Sequence, residues 1–225
     1  MPLPEHDTRP RQQVGRSNLR RAGKTLSLTR ETVVAQLGDK ASAKRRSAAR
    51  RLGRSPDVTA GPALLDALRR ETGDPRTWET QYEMVMALGA CAYGPAVGFL
   101  SELARRPTEH TALHVAVGDA LLRLRGPGEG AAALEWCLGH RNPALADGAL
   151  RAVAALAPPL DATTVDRVLD FLDPLDRFDG LRYWAAVAAR DWPGDRVRAF
   201  LDSCAAGPRA DVADAAAAAL ERRRR

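Results

Sequence analysis

Leu64-Leu65-Asp66-Ala67-Leu68 returns four more times in altered spelling: Phe99-Leu100-Ser101-Glu102-Leu103, Ala133-Leu134-Glu135-Trp136-Cys137, Val168-Leu169-Asp170-Phe171-Leu172 and Phe200-Leu201-Asp202-Ser203-Cys204. The central leucines are 35, 34, 35 and 32 residues apart. In each copy the residue before the leucine, the leucine and the residue three places on are all apolar, which makes one face of a short helix. Self-similarity at a period of this length marks a chain built by stacking small units.

A second phrase alternates with the first. Alanine-rich helical runs cover 41–54, 77–92, 111–125, 145–156, 180–190 and 209–222, and five of them close near Pro56, Pro95, Pro127, Pro158 and Pro193. Proline just past a helix end cannot continue it, so these prolines read as stops. Turn signals such as Gly73-Asp74-Pro75, Asn142-Pro143 and Gly207-Pro208 separate the two phrases. Upstream, Leu28, Val33, Val34 and Leu37 recur at helical spacing, with Thr29 as an N-cap and Gly38 as a stop. No stretch alternates with period two. The pattern predicts an all-α chain of about six helix pairs at a period near 34. A pair of short helices cannot bury its apolar face alone, so the pairs are expected to stack into an α-solenoid. The 225 residues include 42 alanines and only 5% aromatics, so the core must rely on small side chains and close backbone approach.

The paired phrases resemble HEAT repeats, in particular the shorter bacterial variety. The residues that carry the likeness are Lys44-Arg45-Arg46-Ser47-Ala48-Ala49-Arg50-Arg51-Leu52-Gly53, with Met84-Val85-Met86-Ala87-Leu88-Gly89 as a second, partial copy. Later units drop the Arg and the Gly and follow the spacing alone. The likeness spans 29–222. It implies a curved right-handed stack whose second helices line the concave face, a face that in this family binds a protein or peptide and sometimes nucleic acid. The Trp, Leu-Gly and Tyr signature of tetratricopeptide repeats, which have a similar period, is missing.

Charge divides the chain. Residues 1–54 carry 14 Lys and Arg against 4 Asp and Glu, a net of +10, whereas residues 55–221 carry 16 against 24, a net of −8. Residues 1–28 hold Pro, Gly, Gln, Ser and Arg, and are expected to form a flexible basic arm ahead of a solenoid over 29–225. No run approaches about 18 consecutive apolar residues, so no membrane partner is expected. Three cysteines imply no disulfide framework, and no apolar segment of a signal peptide follows the basic start, so a cytoplasmic location is expected.

Candidate functional residues fall into three groups. Lys44, Arg45, Arg46, Arg50, Arg51 and Arg54 crowd one helix, where Arg46 and Arg50 share an exposed stripe. With the arm they form a head able to grip phosphates, or else a solvated capping helix. Asp66, Glu135, Asp170 and Asp202 occupy one slot in four repeats and are expected to line up as an acidic ladder able to bind a basic partner or the chain's own arm, or else to be ordinary exposed charged positions. Arg182 and Trp184, beside Tyr183 on a second helix, are candidate interface anchors.

Cys137 and Cys204 fall in the slot of Leu68, Leu103 and Leu172 and are read as core residues, and His110 and His114 as partly exposed histidines at a helix start. No metal and no cofactor are expected. No nucleophile motif, P-loop or dinucleotide fingerprint occurs. One enzymatic alternative remains. Some bacterial alkylpurine DNA glycosylases are built from HEAT-like repeats and place an Asp beside Trp and Arg in a basic concave groove. The only adjacent pair of that kind here is Asp191-Trp192. The expected function is therefore non-catalytic: an adaptor or scaffold that binds another protein along its concave face. Nucleic-acid binding through the arm and first helix pair is the first alternative, and the glycosylase the second.

Overall fold

The computed structural model describes residues 29–224, so the basic arm expected over 1–28 lies outside the described residues. Among the described residues there are twelve α-helices and no strand. They come as six successive pairs: α1 (Arg30–Ala35) with α2 (Ser42–Arg54), α3 (Gly61–Glu71) with α4 (Trp78–Ala90), α5 (Val97–Arg105) with α6 (Thr111–Arg125), α7 (Gly130–Gly139) with α8 (Pro143–Leu156), α9 (Ala162–Leu172) with α10 (Arg182–Ala188), and α11 (Arg196–Ala205) with α12 (Ala210–Arg223).

Local chemistry sets the ends. The Thr29 side chain accepts from the Thr32 amide and starts α1. Asn142 accepts from the Ala144 and Leu145 amides to start α8, with Pro143 at the first position, where its missing N–H costs nothing. Asp161 does the same for α9 through the Thr164 amide. The α8 run begins two residues earlier than the alanine pattern predicts because that cap lies outside the apolar period.

The second helices α2, α4, α6, α8, α10 and α12 pack against one another in chain order, and all but α10 also pack on the first helix of their own pair. The core lies between the two sets. The five repeated leucines are all buried: Leu100, Leu134 and Leu201 fully, Leu65 and Leu169 nearly so.

One slot of the second helices solves a recurring problem. The carbonyls that end a helix have no partner inside it. Arg45 donates to the Asp39 and Lys40 carbonyls at 2.8 and 3.0 Å. Gln81 donates to those of Glu71 and Asp74 at 3.2 and 3.0 Å. His114 bonds that of Arg106 at 3.1 Å, and Arg182 those of Leu172 and Leu175 at 3.0 and 3.2 Å. Each carbonyl lies where the preceding first helix or its following turn ends. The side chain changes along the chain because the slot needs only a donor of sufficient reach.

His114 is buried, not partly exposed as the sequence suggests. Its Nδ1 accepts from Asn142 Nδ2 at 2.7 Å while Nε2–H donates to the Arg106 carbonyl, so the packed ring is neutral. Burial lowers its pKa below the ordinary 6.5. The unfolded chain therefore takes up the proton first as pH falls. Stability from this group is present above about pH 6.5 and is lost as pH falls below it, through the lowered folded-state pKa. Urea unfolding midpoints measured over that range should fall for the natural chain and fall less for His114→Gln.

Helices α6 and α8 approach each other closely at two glycines. A methyl group on Gly118 would run into the Leu145 carbonyl oxygen, and one on Gly148 into that of Val115. The two helices thus meet backbone to backbone. Gly89 of α4 lies similarly against Ala120 of α6, where an added Cβ would come within 2.9 Å of Cα.

Candidate functional site

The basic stripe on α2 is already spent inside the fold. Arg46 pairs with Glu79, and Arg50 donates to Glu83 Oε1 through Nε and Nη2 at 2.9 and 2.6 Å. Both carboxylates belong to α4, so the two arginines tie the first second-helix to the next. Lys44 pairs with Asp39 at 3.1 Å and Arg45 with Glu71 at 2.6 Å. Among the described residues Arg51 and Arg54 are exposed and make no ion pair, which leaves little of the helix's charge for a phosphate backbone.

The four slot carboxylates sit on the first helices and are likewise engaged. Asp66 pairs with Arg69 at 3.4 Å and Asp202 with Arg198 at 3.7 Å. Glu135 of α7 accepts from Arg167 Nη1 at 2.6 Å and from Thr164 Oγ1 at 3.1 Å, both on α9. Asp170 of α9 pairs at 2.8 Å with Arg196 of α11, which also reaches Asp166 and Asp173. Two of the four are thus stitched to the next layer by an arginine. They stand on the other set of helices from Arg46, Arg50, Arg182 and Trp184, so the eight candidates do not form one surface. Arg182 is half-buried and aimed at the carbonyls that end α9 and begin the following turn.

Trp184 has a different setting. It is half-buried on α10, with the Tyr183 ring edge-on at 4.8 Å. The Arg151 guanidinium of α8 lies 6.0 Å from its ring centre. Arg151 Nε in turn stands 3.9 Å from Asp119 Oδ2 of α6, and Arg123 Nε bonds the other oxygen at 2.5 Å. Asp119 is 1% exposed. Asp147, one turn before Arg151, is half-buried, and that burial raises its carboxyl pKa above the usual range.

Three successive second helices therefore set Asp119, Arg151 and Trp184 in a row. Beyond them Tyr183 and Val187 of α10, with Arg190 just past its end, face Asp214, Ala218 and Arg222 of α12 across a groove of about 390 Å³. No protein-family model matches the chain, and no curated protein matches it.

The sequence reading missed Asp119 and Arg151 because neither belongs to the quoted phrases. The signal that would have found them is the period: they and Trp184 are 32 and 33 residues apart. Arg46 to Glu79 and Arg50 to Glu83 are both 33 apart.

The cysteines offer no reactive thiol. Cys91, Cys137 and Cys204 are buried, and burial pushes the Cys137 thiol up to about 12. Among the described residues no three His, Cys, Asp or Glu side chains converge as metal ligands. No helix there is long and apolar enough to cross a membrane.

Proposed function

We propose that the chain is a right-handed HEAT-like solenoid acting in the cytoplasm as a non-catalytic adaptor, and that it captures another protein along its second helices. The observation that supports this reading is the Arg151, Trp184 and Tyr183 cluster. A half-buried tryptophan braced by a second aromatic and capped by an arginine is the composition of an interface anchor. The first-helix carboxylates, each matched with an arginine, have less to offer a partner. Trp184→Ala should weaken capture of the partner, isolated from native cytosol and then titrated as a purified protein, by about tenfold or more. Asp66→Ala should leave the same affinity within about twofold. Equal affinity for Trp184→Ala, Arg151→Ala and the natural chain would remove this face from consideration.

A second reading has one observation in its favour. The alkylpurine glycosylase resemblance implies Asp, Arg and Trp together, and Asp119, Arg151 and Trp184 stand in that order on α6, α8 and α10. Against it, the Asp119 carboxylate is buried beneath Arg123 and Arg151, closed to a substrate base. Release of modified bases from alkylated duplex DNA, abolished in Asp119→Asn, would establish the enzyme and displace the adaptor.

A further inference from the structure

The groove between α10 and α12 carries two charges that have no ion-pair partner among the described residues. Asp214 and Arg222 are exposed on α12, and among the described residues neither makes an ion pair. They are eight residues apart, roughly 12 Å along a helix. Ala215, Ala218 and Ala219 form a floor with no bulk above it, and Tyr183 and Val187 form the opposite wall.

Both helices satisfy their interior backbone groups themselves, so the groove offers an occupant side chains and no amide ladder. An extended peptide would leave its own N–H and C=O groups unpaired there, whereas a helix brings them already bonded. The charges then set direction. A helix running antiparallel to α12 places its N-terminal end over Arg222 and its C-terminal end over Asp214. An acid first and a base last suits both the groove and the occupant's own dipole. A parallel helix would have to carry its charges against its dipole.

Resting on the adaptor reading, we propose that this groove seats a short amphipathic helix of the partner protein, antiparallel to α12. The occupant carries an acidic residue over Arg222, a basic residue about two turns later over Asp214, and aliphatic residues between them on the alanine floor. The test is selection of a displayed library of 16-residue peptides on the full chain, followed by titration of the enriched peptides against variants. The expected winners place Asp or Glu seven or eight residues before Lys or Arg, with aliphatics between. They lose tenfold or more on Ala218→Trp, which fills the groove from an exposed position, and the paired change Asp214→Arg with Arg222→Asp reverses the preferred order. An empty selection overturns the proposal, as do winners indifferent to Ala218→Trp. Winners lost on Trp184→Ala but not on Ala218→Trp overturn the groove and leave the adaptor reading standing. Self-association of the chain abolished by Ala218→Trp would make the occupant a second copy and also overturn it.

Discussion

Gly148→Ala should lower the unfolding free energy by about 3 kcal/mol, measured by urea denaturation, the upper end of what overpacking usually costs. The reason is what the new methyl group would meet. It would overlap the Val115 carbonyl oxygen and lie 2.9 Å from the Asp119 amide nitrogen, and these are backbone atoms that cannot turn aside as a side chain can. Gly118→Ala should cost a similar amount, because its methyl group meets the Leu145 carbonyl oxygen from the other side. The helix-propensity gain of alanine over glycine, about 1 kcal/mol, works in the opposite direction and is outweighed. Gly98 is the control: it lies within α5 with nothing inside 4 Å of an added Cβ, so Gly98→Ala should raise stability by up to about 1 kcal/mol.

Glu71→Ala should be comparably damaging, at about 3 kcal/mol by the same measurement. The Glu71 side chain is 4% exposed and takes two bonds from Arg45, Nε to Oε2 at 2.6 Å and Nη2 to Oε1 at 2.7 Å. Its removal leaves the Arg45 guanidinium, itself only 19% exposed, without its counter-charge. Most of the expected loss is the desolvation of that orphaned cation and not the intrinsic worth of the pair. The double variant Glu71→Leu with Arg45→Met should therefore lie closer to the natural chain than Glu71→Ala does. A double variant as unstable as the single one would show that the pair itself holds the first two layers together.

The helices were legible because alanine spacing and proline stops are local signals. The run 111–125 coincides with α6, and 41–54 and 77–92 bracket α2 and α4 within one or two residues. The run 180–190 fared less well. Helix α10 spans Arg182–Ala188 and gives way to a tighter turn over Ala189–Asp191, a change in winding that alanine content does not register. The charged candidates were harder to read, for a physical reason. An arginine on one helix is judged free or spent by what the next layer puts opposite it. Glu79 and Glu83 stand 33 residues beyond Arg46 and Arg50, so a helix-by-helix reading sees only the excess of positive charge. Burial misleads in the same way at Asp119 and His114. Both are polar residues on an alanine-rich helix; Arg123 is a local i,i+4 partner of Asp119, but nothing nearby in the sequence reveals that Arg151 and Asn142 close over the two from α8 and its cap.

The glycine contact between α6 and α8 has a mechanical consequence. At the two glycines the helices meet backbone to backbone, and that part of the contact has no rotamers to change. Bending of the molecule is therefore resisted most at its middle and is displaced toward the joints on either side. The nearer joint on the C-terminal side is α8 against α10, where long side chains, Arg151 on Trp184, form part of the bearing. The chain is expected to behave as a stiff block carrying a more compliant lever, with the contact between Arg151 and Trp184 at the pivot.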